Sequence, residues 1–131
     1  MNFSGEALKL KALIVEDNAS FRATLKDSLQ TLFPSMIVHE AVEGNEALQK
    51  VDRFHPELIF MDIRLPGENG LHLTQKIKTN YPETKVMILT SYDTQEYREA
   101  AARCGANCFV TKDSLNWQLI ETFIKSFHRI E

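Results

Sequence analysis

The chain has the composition of an ordinary globular protein, with 131 residues of which 44% are hydrophobic and 25% charged. Its 15 lysines and arginines against 18 aspartates and glutamates leave a net charge of −3, which offers no general positive field to nucleic acid or an anionic membrane. No apolar run approaches the roughly 20 residues of a membrane span, and the first residues lack the pattern of a secretion signal. We therefore expect one cytoplasmic domain, with residues 1–9 as an N-terminal extension and residues 10–131 as its core.

The first half of the chain alternates short apolar runs with longer segments of helical periodicity. The apolar runs predict three strands, at 11–16, 36–41 and 57–62. Asn18 is placed to cap the helix between the first two strands, and Pro34 ends that helix. Its inner face carries Phe21, Leu25, Leu29 and Leu32. A second helix is expected over 44–54, before the third strand.

The second half continues the alternation. Two further apolar runs predict strands, at 85–90 and 107–111. A turn-forming segment at 65–70 precedes the third helix, Thr94 can cap the fourth, and Gly105 is placed as the C-cap of that helix. The last helix is predicted to be the longest amphipathic one, with an apolar face of Leu115, Leu119, Phe123 and Phe127.

Five strand–helix units in succession predict an α/β fold. Parallel strands need helical crossovers, so this alternation indicates a parallel sheet covered by helices on both faces. Because such crossovers are right-handed, the expected architecture is a doubly wound five-stranded parallel sheet with five helices, which is the flavodoxin-like class.

Polar side chains follow the strands at the ends where open parallel sheets bind their ligands. The first strand ends in Glu16 and Asp17, the third in Asp62, the fourth in Thr90 and the fifth in Lys112. In the strand order 2-1-3-4-5 the first and third strands are neighbours, so Asp17 and Asp62 are expected to face each other. Carboxylates remain together only where a cation or protons compensate their repulsion, so this edge of the sheet indicates a bound cation or bound protons.

The residue types at this edge favour magnesium and phosphoryl chemistry. An all-oxygen set favours Mg²⁺ before Ca²⁺, and Mg²⁺ on one or two carboxylates usually takes a phosphoryl group as a further ligand. Asp62 is then a candidate nucleophile, while Thr90 and Lys112 can supply a hydrogen bond and a charge to that group. Each residue also has a structural interpretation, such as a helix cap for Asp17, but polar residues at all these strand ends together favour the site.

Four motifs in chain order resemble the receiver domain of two-component response regulators. They are Glu16-Asp17 after a strand, Met61-Asp62-Ile63-Arg64-Leu65-Pro66-Gly67 followed by Gly70, Thr90-Ser91, and Phe109 with Lys112. The resemblance extends from about Lys11 to the last helix, and the strand order above is partly taken from it. It implies a signalling domain rather than an enzyme, with Mg²⁺-dependent self-phosphorylation and autodephosphorylation as its only chemistry.

The resemblance implies an acceptor and a metal site. Asp62 would accept a phosphoryl group from the phosphohistidine of a sensor histidine kinase or phosphotransfer protein. Asp17 and Asp62 would bind Mg²⁺ directly, Glu16 would do so through water, and Arg64 would contribute its backbone carbonyl.

The resemblance also implies a switch. Thr90 and Lys112 would contact the phosphoryl oxygens, and Phe109 would turn inward as the hydroxyl of Thr90 moves. The surface of the fourth helix, fifth strand and fifth helix, which includes Tyr97 and Arg98, would then change and bind a downstream protein or a second copy.

Other functions fit the sequence less well. A haloacid-dehalogenase-type phosphatase needs Asp-x-Asp after its first strand, whereas Asp62 follows the third strand and has Arg64 two positions later. A flavodoxin-type carrier needs a phosphate loop rich in Ser, Thr and Gly, whereas the sequence here is Glu-Asp-Asn-Ala-Ser-Phe. Two alternatives stay open, a receiver fragment of a helix-turn-helix transcriptional regulator and a pseudo-receiver that binds proteins without phosphorylation.

Overall fold

The structure, a computed structural model, describes residues 9–127 and contains a five-stranded parallel sheet in the order β2-β1-β3-β4-β5. The strands are β1 (Lys11–Val15), β2 (Ile37–Ala41), β3 (Leu58–Met61), β4 (Lys85–Thr90) and β5 (Cys108–Thr111). The helices are α1 (Ala19–Leu32), α2 (Gly44–Phe54), α3 (Gly70–Asn80), α4 (Gln95–Arg103) and α5 (Trp117–Lys125), with a short 3₁₀ helix (Lys112–Ser114) after β5. The predicted doubly wound fold is confirmed.

Local sequence signals set most of the helix boundaries. The side chain of Asn18 caps α1 and that of Thr94 caps α4, each by accepting a backbone N–H of the first turn at 3.0 and 3.1 Å. At the end of α4 the cap residue is Cys104, and the predicted Gly105 is the next residue, with a φ of +90° that glycine adopts without strain.

The last helix differs from its prediction. α5 has 9 residues and begins at Trp117, whereas α1, with 14 residues, is the longest helix in the described part of the chain. The side chain of Asn116 accepts the N–H of Leu119 and starts α5 there, while Leu115 has an extended backbone. Leu115 still packs against the same core as the helix residues, so apolar spacing alone placed the start too early.

The sheet separates two apolar cores. On one face α1 and α5 bury Leu25, Leu29, Ile120, Phe123 and Ile124. On the other face α2, α3 and α4 bury Ala47, Val51, Leu73, Ile77 and Ala101. Successive residues of β1 alternate between them, with Leu13 in the second core and Ile14 in the first. Over residues 9–127, no helix combines the length and apolar character needed to cross a membrane.

A close backbone contact fixes the loop after β3. The N–H of Gly70 donates to the carbonyl of Ile63 at 2.7 Å, and Arg64 pairs with Asn69 in an antiparallel bridge across the loop. A Cβ atom at position 70 would lie 1.8 Å from the carbonyl oxygen of Asp62, so the backbone would have to move for any residue other than glycine. The approach of α3 therefore sets the position of Asp62 at the end of β3.

Candidate functional site

Three carboxylates meet where β1 and β3 end. Glu16 and Asp17 follow β1, and Asp62 follows the neighbouring β3. One oxygen atom from each of the three side chains lies within 4.8 Å of the other two. Glu16 and Asp62 are buried, with 2% and 7% of their surface exposed, whereas Asp17 is exposed. The fold thus brings together the three carboxylates that the sequence suggested.

The ammonium group of Lys112 lies against the two buried carboxylates. Lys112 follows β5, and its Nζ lies 2.6 Å from Oε1 of Glu16 and 3.4 Å from Oδ2 of Asp62. The same Nζ lies 4.6 Å from the centroid of the Phe21 ring, and 15% of the lysine side chain is exposed. A single ammonium faces two buried carboxylates, so this cluster retains an excess of negative charge.

Burial and charge act in opposite directions on the pKa values of this cluster. Burial raises the pKa of Glu16 above its ordinary value of 4.5, and it prevails over hydrogen bonds from Lys112 and the Asn18 backbone. Burial by itself would lower the pKa of Lys112, but the hydrogen bond with Glu16 and the charge of Asp62 prevail and raise it above 10.5. Lys112 is therefore cationic at neutral pH, while ionised Glu16 gains from any additional cation.

Backbone donors fix the orientation of the buried carboxylates. The N–H of Ile63 donates to Oδ1 of Asp62 at 2.8 Å, and the N–H of Asn18 donates to Oε2 of Glu16 at 3.0 Å. Nη1 of Arg22 donates to the carbonyl oxygen of Glu16 at 2.8 Å. These backbone hydrogen bonds fix the directions of the Glu16 and Asp62 carboxylates.

Thr90 and Phe109 lie outside the carboxylate cluster. Thr90 ends β4 with no exposed surface, and its Oγ1 accepts the N–H of Tyr92 at 3.1 Å. Phe109 is half-buried against the second core, and the Cζ of Arg98 lies 4.7 Å from the centroid of its ring. Arg98 also binds Asp93 with two hydrogen bonds of 2.5 and 2.9 Å. The ring of Phe109 thus lies against the Arg98 side chain of α4.

Arg64 connects the loop after β3 to the segment after β4. Its Cζ lies 3.8 Å from the centroid of the Tyr92 ring, a cation–π contact. The Tyr97 hydroxyl, Tyr92 and Asp62 together raise the pKa of the exposed Arg64 guanidinium. The side chain of Arg64 therefore lies between the predicted acceptor and the start of α4.

The donor set of the cluster fits a hard divalent cation. The cluster offers the carboxylate oxygens of Glu16, Asp17 and Asp62. Within residues 9–127, these are the three acidic, His or Cys side chains that lie close enough together to hold a metal ion. Oxygen ligands with excess negative charge are what Mg²⁺ requires. The chemistry of these residues therefore agrees with a magnesium site.

Sequence reasoning missed the residues of α1 that support the cluster. Phe21 and Arg22 lie in the first turns of α1, where the ring contacts Lys112 and the guanidinium binds the Glu16 backbone. Their position directly after Glu16-Asp17 could have suggested proximity. The contact of Phe21 depends on how β5 brings Lys112 across the sheet edge, which no local pattern shows.

Comparison with known proteins gives one family. Residues 12–124 match the family described as "Response regulator receiver domain". Among curated proteins, the chain is 38% identical over 112 residues to the oxygen regulatory protein NreC of Staphylococcus haemolyticus, over 85% of this chain and 52% of that protein. The chain thus spans about half the length of the curated relatives it matches.

Solved structures agree with this match. A CheY-like response regulator receiver domain protein from Methanospirillum hungatei is 26% identical with a TM-score of 0.82, over 90% of this chain and 93% of that one. The signal receiver domain of a DNA-binding response regulator from Colwellia psychrerythraea is 25% identical with a TM-score of 0.83, over 89% and 96% of the two chains.

Proposed function

Because the chain belongs to the response regulator receiver domain family, and so is a signalling domain, we propose that Asp62 is its phosphoryl acceptor. The observation that carries the proposal is the cluster itself, in which Asp62 lies buried beside Glu16 and Lys112 with Oδ2 facing the ammonium at 3.4 Å. The phosphoryl donor would be a phosphohistidine of a sensor histidine kinase or of a phosphotransfer protein.

The transfer follows from the placement of Asp62. Its carboxylate oxygen attacks phosphorus, the phosphorus–nitrogen bond to the donor imidazole breaks, and the imidazole leaves with the electron pair. Lys112 moves its charge from the Asp62 carboxylate to a phosphoryl oxygen, and the Thr90 hydroxyl donates a hydrogen bond to another. The N–H of Ile63 holds the carboxylate in place, since it already binds Oδ1.

Magnesium would be held by Glu16, Asp17 and Asp62 with the backbone carbonyl of Arg64. When bound, Mg²⁺ supplies positive charge that offsets the charge on the phosphoryl oxygens. Glu16 favours its binding, because the burial that raises its pKa makes an added cation more favourable.

The output would be a change of the surface formed by α4, β5 and α5. Movement of Thr90 toward the phosphoryl group would leave space that the ring of Phe109 fills, and this requires Arg98 to leave the ring. A downstream protein or a second copy of the chain would recognise the altered surface, by a shift in a pre-existing equilibrium.

The acceptor is tested by intact mass after incubation with a small acyl phosphate and Mg²⁺. We expect the wild type to gain one phosphoryl group and Asp62→Asn to gain none, because an amide does not attack phosphorus. Asp52→Asn, at an exposed carboxylate on α2, is the matched control and should gain one. A phosphorylated Asp62→Asn protein would move the acceptor elsewhere, and an unmodified wild type would favour a pseudo-receiver that binds proteins without phosphorylation.

A second candidate concerns the longer context of the domain. The chain covers 52% of NreC, and the Colwellia receiver belongs to a DNA-binding response regulator. These observations favour the receiver of a transcriptional regulator, whose switch would control a DNA-binding domain. The reading frame beyond Glu131 tests this directly, since a helix-turn-helix domain would follow in such a regulator.

A further inference from the structure

The side chain of Arg64 joins two segments that are separate in sequence. It extends from the loop after Asp62 and stacks on Tyr92 with a Cζ to ring-centroid distance of 3.8 Å. Tyr92 lies two residues before Thr94, whose side chain caps α4. Tyr92 is 45% exposed, so burial in the core does little to hold its ring. We refer to this contact of Arg64 with Tyr92 as the Arg64 tether.

The tether is also connected to Thr90. The backbone N–H of Tyr92 donates to Oγ1 of Thr90 at 3.1 Å, so one residue contacts both the predicted phosphoryl-binding hydroxyl and the guanidinium. A displacement of Arg64 therefore acts on the segment after β4, which is also bonded to the Thr90 hydroxyl and would be affected when that hydroxyl moves toward a phosphoryl group.

Arg64 differs from the neighbouring Arg98 in what it binds. Arg98 is held by the Asp93 carboxylate through two hydrogen bonds. Within residues 9–127, Arg64 forms no ion pair with a carboxylate, and its partner is the aromatic ring of Tyr92. An arginine so placed is free to exchange neutral partners for an anion.

A phosphoryl group on Asp62 would be such an anion. It adds about −1.5 to −2 charges and three acceptor oxygens two residues from Arg64. Guanidinium groups bind phosphoryl oxygens in bidentate geometry, through hydrogen bonds roughly twice as strong as neutral ones. We propose that the Arg64 tether holds the start of α4 in the unphosphorylated position, and that phosphorylation of Asp62 releases α4 by drawing the guanidinium onto the phosphoryl group. This proposal rests on Asp62 being the acceptor.

The test compares amide chemical shifts of α4, residues 95–103, in the free protein and with beryllofluoride and Mg²⁺. The line that joins the free and beryllofluoride-bound wild-type shifts defines the direction of activation. We expect free Arg64→Gln to lie part of the way along this line, with the activated population raised about two- to fivefold, as for the loss of one exposed cation–π contact. Tyr92→Leu should move the same way, because it removes the ring on which the guanidinium stacks.

Arg53→Gln is the matched control. Arg53 is an exposed arginine whose Cζ lies 5.4 Å from the centroid of the Phe54 ring at the end of α2. Its removal should leave the α4 shifts of the free protein unchanged. Free Arg64→Gln shifts that coincide with wild type, or that leave the line of activation, would overturn the tether.

The same titration separates the two proposals. Binding of beryllofluoride is read at the amides of Asp62 and Ile63. If these amides do not move in the wild type, the acceptor assignment fails. If they move while free Arg64→Gln keeps wild-type α4 shifts, the acceptor stands and the tether fails.

Discussion

Two charge clusters on neighbouring strands have opposite balances of positive and negative charge. The site cluster consists of Glu16, Asp17, Asp62 and Lys112. In it, Glu16 and Asp62 share the single ammonium of Lys112, and only 3% of the Glu16 side chain is exposed. In the edge cluster on β2, one carboxylate, Glu40, binds two cations, and 33% of its side chain is exposed. These cations are Arg22 at 3.1 Å and Lys26 at 3.1 Å.

The pKa values of the two glutamates show the consequence. Burial raises the pKa of Glu16 despite its ammonium partner. Burial acts in the same direction on Glu40, but the hydrogen bonds and charges of Lys26 and Arg22 prevail and lower its pKa below 4.5. The edge cluster therefore stabilises the fold, whereas the site cluster keeps unfavourable negative charge that an added cation would offset.

The largest effect is expected for Lys112→Met. The substitution leaves two buried carboxylates without their ammonium, so we expect a loss of about 3 kcal/mol in the free energy of unfolding at pH 7 without Mg²⁺. Urea unfolding measures it. Lys26→Met is the matched control in the edge cluster and should lose less than about 1 kcal/mol, because that pair is exposed. Equal losses for the two variants would contradict the contrast between the clusters.

The next largest effect is on metal binding. Asp17→Asn removes a charged oxygen from the site cluster, and we expect Mg²⁺ affinity to fall at least about tenfold. A loss of about that size is already typical when a residue that only supports a metal ligand is removed. Titration of Mg²⁺ followed by the amides of Asp62 and Arg64 measures it. Asp27→Asn, at an exposed carboxylate of α1, should bind as wild type does. Unchanged affinity in Asp17→Asn would remove Asp17 from the metal site.

A smaller effect is expected for Glu40→Gln. The variant loses two partly exposed ion pairs, so its free energy of unfolding at pH 7 should fall by about 0.5–1 kcal/mol. Since the folded pKa of Glu40 is lowered, its contribution is complete above the unfolded value of 4.5 and disappears as the pH falls through the folded pKa. Urea unfolding of both proteins from pH 7 to pH 3 should show the difference vanish at the acid end. A stability difference that grows on acidification would contradict the lowered folded pKa of Glu40.

The smallest expected effect, and the one with the opposite sign, is for Glu16→Gln. The pKa of Glu16 in the folded protein is raised, so ionisation of Glu16 lowers the free energy of unfolding above pH 4.5. We expect the variant to match or slightly exceed the wild-type stability at pH 7 without Mg²⁺, with Lys112 still paired to Asp62. The gain should shrink as the pH falls toward 4.5, in the same unfolding series. A clear loss at pH 7 would place Glu16 with Glu40 as a stabilising carboxylate.

Most of the fold could be predicted because its signals are local. Buried strands of a parallel sheet are continuous apolar runs, and side chains such as Asn18 and Thr94 mark helix starts through contacts within a few residues. The start of α5 was wrong because Leu115 packs with the helix residues from an extended backbone, which spacing does not distinguish from a helical turn.

The site could be predicted only in part. Residue types at strand ends identified the carboxylates and Lys112, because the carboxyl ends of parallel strands share one edge. The pairing of Lys112 with Glu16 rather than with Asp62 alone, and the stacking of Arg64 on Tyr92, depend on side-chain directions in the assembled sheet. These directions are set by packing across elements, which the sequence pattern does not contain.

The distance along the chain between the members of the site cluster bears on protein synthesis. Asp62 and Lys112 are 50 positions apart, and Lys112 is delivered only when β5 pairs with β4. A chain still emerging from the ribosome, or one whose β5 and α5 have detached, lacks the ammonium that faces Asp62. For the acceptor role proposed for Asp62, the ammonium that would receive the phosphoryl charge is in place only after β5 has joined the sheet.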